Sequence, residues 1–208
     1  MVTLPSVRRL VAVLTCLLSV PLILGGCATA TPPAGSGQQG QTTTAVSAPP
    51  TSYHPSKTVT YGASWATLYH DLKSLKQSAD LGVAGTISRV STVSTDEGGI
   101  VYTDFVFTVK TTLLDPKHRL NNQSLLIHQT GGMVGSTLYQ MEDDPLFEIG
   151  EQAILFLHEY SPGHYFVIGG PSGRFRVQNG LVSPINTEGV TLGTPLTEAA
   201  FTSKVQQA

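Results

Sequence analysis

Three consecutive carboxylates, Glu142, Asp143 and Asp144, are the densest chemical group in this chain of 208 residues. They follow Tyr139 and the glycines Gly131, Gly132 and Gly135, in a stretch from 131 to 150 that carries neither helical nor strand periodicity. Long irregular segments are uncommon in compact domains and often functional. Gly131, Gly132, Gly135, Tyr139, Glu142, Asp143 and Asp144 are therefore read as a candidate binding loop. Such carboxylates could hold Ca²⁺ together with nearby carbonyls, but they lack the alternating spacing of a dedicated calcium loop. A solvated acidic turn and a lip for a partner are the other readings. A hydrolase built on this chain would draw its acid and base from the same run or from Asp104.

Other chemistry is sparse. His118, His128, His158 and His164 are scattered. His158 and His164 flank Ser161-Pro162-Gly163 and could meet across a hairpin. Two imidazoles without a third ligand make a weak metal signal, so exposed hairpin residues are the plainer account. His70 adjoins Asp71, but sequence neighbours on a helix do not face each other. Gly170-Pro171-Ser172-Gly173 lacks the glycine spacing of a nucleophile elbow. No phosphate loop, dinucleotide fingerprint or His-Glu-x-x-His motif occurs. The two cysteines, Cys16 and Cys27, both lie near the N-terminus. The rest of the chain thus has no thiol nucleophile, disulfide or thiolate ligand. These residues imply no enzyme, no cofactor and no metal.

The elements that must position these groups are mostly strands. Val83 to Val90 is the first, with Gly82 and Gly85 permitting close approach or a bend. Asp96-Glu97-Gly98-Gly99 is a turn. Val101, Thr103, Phe105, Phe107, Val109, Thr111 and Leu113 then alternate with Tyr102, Asp104, Val106, Thr108, Lys110 and Thr112. Alternation of that length predicts a strand long enough to coil around a barrel. Asp115-Pro116 ends it. Ser124 to Gln129 is a third strand, and Ala153 to Leu157, apolar on both faces, is a central one. Tyr165 to Ile168 follows. Arg174 to Gln178 and Leu181-Val182 flank Asn179-Gly180, a strong hairpin signal.

A helix stands at each end. Trp65, Leu68, Leu72 and Leu75 recur at helical spacing over Ser64 to Lys76, with Ser64 as N-cap and Trp65 packing on the domain. Thr197 caps a short C-terminal helix containing Phe201 and Val205. The expected fold is mainly β: a small OB-like barrel, closed or partly open, with a helix before it and a short helix after it. A two-sheet sandwich competes.

Several of these segments carry a resemblance. They are Ala79-Asp80-Leu81 into Val83-Ala84-Gly85-Thr86-Ile87, then Thr130-Gly131-Gly132, Pro145-Leu146-Phe147 and Gly150-Glu151 into Ile154-Leu155-Phe156-Leu157, and Gly173 to Val177. Over residues 79–182 the chain resembles uncharacterised secreted bacterial β-barrel proteins. More distantly it is similar to netrin-like, metalloprotease-inhibitor modules. The shared residues are turn glycines and core positions, so the resemblance implies a fold. The inhibitors act through N-terminal cysteines, which this domain lacks, so inhibition does not carry over.

The N-terminus reads as an address. Arg8 and Arg9 precede an apolar run from Leu10 to Leu24, about fifteen residues and short of the roughly 20 a spanning helix needs. Leu24-Gly25-Gly26-Cys27 resembles the bacterial lipobox. That resemblance implies a diacylglyceryl thioether on Cys27, cleavage before it, and residues 1–26 as signal peptide. Ala28-Thr29-Ala30 offers the alternative of an ordinary peptidase site and a secreted product. Residues 27–60, rich in Thr, Pro, Gly, Ser and Gln, read as a disordered tether that includes His54, leaving 61–208 as the domain.

Without Arg8 and Arg9 the 12 basic residues fall to 10 against 14 acidic, a net charge of −4. That excludes a nucleic-acid footprint. The expectation is a lipoprotein of the cell membrane, anchored by acyl chains on Cys27 and facing outside the cytoplasm. Its domain would bind an envelope protein, peptide or glycan without catalysis. A structural envelope component and a carboxylate hydrolase are the alternatives.

Overall fold

The computed structural model describes residues 53–62, 64–120 and 123–208. The residues read as a signal segment, Cys27 and most of the stretch read as a tether lie outside them. The elements are β1 (Lys57–Tyr61), α1 (Leu72–Ser78), β2 (Leu81–Thr95), β3 (Val101–Leu114), β4 (Ser124–Val134), β5 (Thr137–Met141), β6 (Gln152–Ser161), β7 (His164–Val167), a 3-10 turn (Gly170–Gly173), β8 (Arg174–Gln178), β9 (Leu181–Pro184), β10 (Leu196–Thr197) and α2 (Glu198–Gln207).

Five of the strands close a ring, in the order β2-β3-β4-β7-β6 and back to β2. Every pairing in it is antiparallel except β4 with β7. This is the order of an OB-like barrel, so the fold is mainly β and barrel-like as expected. Beyond the ring, β8, β9 and β10 extend the sheet from β6, while β5 and β1 extend it from β4.

Closure on so few strands demands sharp coiling. β2 supplies it through four register shifts against β3, each a bulge or irregularity that bends the strand. Gly85 lies in this bend. A Cβ there would sit 2.1 Å from the Thr108 carbonyl oxygen, so any larger residue forces the two backbones apart.

Two apolar cores result. Val83, Ile87, Phe105, Phe107, Ile127, Leu155 and Leu157 fill the barrel. Ala84, Ile154, Phe156, Phe175, Phe201 and Val205 form the second core, under α1 and α2. β6 is apolar on both faces because it separates the two. Its Leu155 and Leu157 point one way, its Ile154 and Phe156 the other. Asn179 and Gly180, at φ 52° and 75°, turn β8 into β9 as their types predict. Thr197 caps α2 by accepting from the Ala200 N–H.

Three expectations need correction. The first helix begins at Leu72, not Ser64. Asp71 is its N-cap, accepting from the Ser74 N–H at 2.8 Å, and Trp65 lies in irregular chain before it. A strong local cap sets the start, and the tertiary partners of Trp65 hold the preceding residues elsewhere. Second, the stretch from 131 is no loop at its outset. β4 continues to Val134 and turns at Gly135 into β5, which buries Leu138 and Met141. Third, ordered chain begins inside the segment read as tether, because β1 runs parallel to β5 from Lys57↔Thr137 to Tyr61↔Met141.

Candidate functional site

The acidic run does not form one lip. Gly131 and Gly132 belong to the β4 ladder, and Tyr139 on β5 stacks on Tyr61 at 6.1 Å. Glu142 is exposed. One oxygen of Asp143 accepts from the Trp65 indole N–H at 2.5 Å. Asp144 is buried, which corrects the picture of a fully solvated turn. Its Oδ1 lies 3.0 Å from Nη1 of Arg174, itself fully buried. Arg174 also grips Glu151 with Nη2 at 2.8 and 2.9 Å and lies 3.8 Å over the Phe147 ring. Burial pushes the Asp144 carboxyl up despite the guanidinium beside it. These groups knit the barrel end together and leave no carboxylate pair free for acid–base chemistry among the run.

A second constellation lies on the outer face of β3, β4, β7 and β6. Registration places Asp104 opposite His128, His128 beside Phe166, and Phe166 opposite His158. The four therefore form a single row across four strands. Each imidazole is tied back by a carboxylate. His128 Nδ1–H donates to Asp104 at 2.7 Å, and His158 Nδ1 lies 2.7 Å from Asp80 Oδ2. A second arc of rings joins the row. Tyr102 stacks on His128 at 4.9 Å, and Tyr160 meets His128 at 5.8 Å, His164 at 6.0 Å and Phe166 at 6.2 Å. Tyr160 is 48% exposed and Phe166 39%, unusual for side chains of that size.

The supporting charges are internally matched. Asp80 receives Lys117 Nζ at 2.7 Å and the Glu159 N–H. Burial alone would raise its carboxyl. The Lys117 and Glu159 hydrogen bonds and the charges of Lys117 and Arg119 outweigh that and hold it below the usual range. Arg119 also pairs with Glu159, whose carboxyl is held low first by the Gly163 N–H. Tyr102 donates to Asp96.

Two clefts border the row at Phe166. One, of about 350 Å³, is lined by Trp65, Tyr69, His158, Phe166 and Gly169. The other, of about 240 Å³, lies between Trp65, His128, Thr130, Asp144 and Phe166. Trp65 stands at both because Gly170, at φ 53°, admits its ring. A Cβ on Gly170 would lie 2.5 Å from the indole.

The structure thus separates what the sequence grouped. His158 faces Phe166 rather than His164, which is opposite Ser161. Asp104 serves His128 and stands apart from the acidic run. Tyr102 and Asp104 are legible as outward positions of β3, while Tyr160, Phe166 and the role of His128 escape a reading without strand register. An apolar ring at an outward position was the available signal. No protein-family model matches the chain, and no curated protein is found to be similar to it.

Proposed function

We propose that this protein is a membrane-anchored extracytoplasmic lipoprotein whose barrel is a binding module without catalytic activity. Leu24-Gly25-Gly26-Cys27 supports acylation of Cys27, and no cysteine from 28 onward competes for its thiol. Two or more acyl chains on one residue give stable anchoring. Metabolic labelling with a fatty-acid analogue tests this part. Label is expected on the wild type and lost in Cys27→Ala; label retained in that variant would refute lipidation.

The observation that carries the binding role is the exposed row Asp104–His128–Phe166–His158 with Tyr160 beside it. Rigid strands present these rings, so little conformational entropy is lost on contact. The carboxylates favour binding over hydrolysis, since Asp143, Asp144, Asp104 and Asp80 each hold a structural partner. Barrels of this strand order often carry ligands on the same face, an analogy of fold alone. Incubation of intact envelopes with the tagged domain checks the role. Wild type should retain an envelope component that Phe166→Ala loses; equal recovery by both would count against this face.

A further inference from the structure

We infer that the ring-lined face receives an arginine side chain of a partner protein, an assignment that rests on the binding role proposed above. Charge is the first ground. The His158 end of the face is matched, since Lys117 and Arg119 stand against Asp80 and Glu159. The Tyr102 end is not. Asp96 accepts from the Tyr102 hydroxyl and the Ile100 N–H, Glu97 follows it in the exposed turn, and Asp104 lies beside His128. Among the described residues, no lysine or arginine forms an ion pair with any of these three carboxylates. Arg89, opposite Val106 on β2, is no exception. His128, charged or not, offsets one of the three at most. It meets Oδ1 of Asp104, and Oδ2 has no hydrogen-bond partner among the described residues.

Two of these carboxylates act on the rings themselves. Burial, then Asp96, pushes the Tyr102 phenol up, and burial, then Asp104, does the same for Tyr160. A field that opposes a phenolate also draws in a cation.

The rings are the second ground. They tilt against each other, from 19° between Tyr102 and His128 to 59° between His128 and Tyr160, so they make no flat platform. A cation needs only one ring face, within about 6 Å of its centre. A guanidinium suits this place better than an ammonium. It stacks on a ring, is more weakly hydrated, and gives its N–H groups to a carboxylate in the same plane. Arg174 already does this inside the protein, over Phe147 and against Asp144 and Glu151.

Openness is the third. Small ligands are mostly held in concave sites that bury them. Tyr160 instead stands about half exposed on the outside of the barrel. β4 and β7, at the centre of the face, are paired on both edges, so a partner meets side chains rather than adding a strand. Tyrosine and arginine are among the side chains that most often anchor such contacts.

The full-length protein in non-ionic detergent would be titrated into labelled octapeptides alternating glycine with arginine, lysine or glutamate, at about 0.15 M salt and read by fluorescence anisotropy. The arginine peptide should bind saturably, the lysine peptide about threefold weaker or worse, and the glutamate peptide at least tenfold weaker. Asp104→Asn and Tyr160→Ala should each weaken the arginine peptide about tenfold, while Tyr160→Phe, which keeps the ring, should bind like wild type. Glu188→Gln removes the same charge from an exposed site between β9 and β10 and should change nothing. No binding of the arginine peptide, equal binding of the lysine or glutamate peptide, or indifference to both Asp104→Asn and Tyr160→Ala would overturn the assignment. So would an equal loss in Glu188→Gln, which would mark diffuse attraction. Spermine competing as tightly as the arginine peptide, with the same dependence on Tyr160, would replace the protein partner by a small polyamine. The envelope retention experiment separates the two levels. If the peptides fail while Phe166→Ala still loses the envelope component, the arginine assignment falls and the binding face stands. If both fail, both fall.

Discussion

Arg174 Nη1 lies 3.0 Å from Asp144 Oδ1, with both side chains closed off from water. Breaking such a pair strands a buried carboxylate, and here a second one, Glu151, loses its bidentate partner as well. Arg174→Ala should lower stability by about 3–5 kcal/mol in urea titrations. Arg174→Lys should recover little of it, because an ammonium cannot serve two carboxylates and the Phe147 ring in one plane.

Asp80 predicts the acid limb. Its folded carboxyl titrates below the unfolded one, so the unfolded chain takes up the proton first as pH falls. Its contribution is present above the ordinary aspartate range, about pH 4, and is lost as pH falls through and below it. Asp80→Asn should cost about 1–3 kcal/mol at neutral pH and flatten that limb in chemical denaturation from pH 6 downwards.

Two tyrosines predict the alkaline limb. Burial first, then neighbouring carboxylates, pushes Tyr53 and Tyr165 up to about 12. Unfolded phenols ionise near 10. Stability contributed by these rings is therefore full below about pH 10 and lost as pH rises towards 12. Phenolate absorbance should show two tyrosines resisting ionisation until circular dichroism reports unfolding.

Trp65 is pinned by Asp143 and by its seat on Gly170. Asp143→Ala should shift Trp65 emission to longer wavelength and cost about 1–2 kcal/mol. Asp143→Asn, which keeps an acceptor oxygen, should restore most of the emission. Gly170→Ala should dislodge the ring even with Asp143 intact, and unchanged emission there would contradict the close seat.

β1 protects the edge of β5. Val59→Pro removes a backbone donor from the strand and should loosen it. The bared edge would then pair between molecules, read as oligomers in size-exclusion chromatography at concentrations where wild type is monodisperse.

Local chemistry makes much of the fold legible in the amino-acid sequence. Alternation from Val101 to Leu113 marks β3, Asn179-Gly180 marks the β8–β9 turn, and the two-sided apolar run marks β6. Failures share one cause. Trp65 reads as helical by spacing, but its partner Asp143 is 78 residues away in the chain. β5 hides among glycines because its pairing with β1 lies equally far off. The ring-lined row depends on three strand registers at once, and outward residues in one strand carry no information about the register of the next.

The closed ring also fixes the order in which folding can happen. β2 is satisfied on one side by β3, which is nearby in sequence, and on the other by β6, from Leu81↔Leu157 to Thr86↔Gln152. The seam then closes only when His164 to Phe166 reach Leu126 to His128. A chain released N-terminus first therefore has a long hairpin but no barrel until most of its length has emerged. Such non-local topologies collapse late and fold slowly. A chain threaded through a narrow pore would stay pliable throughout its passage, with no early tertiary knot to undo.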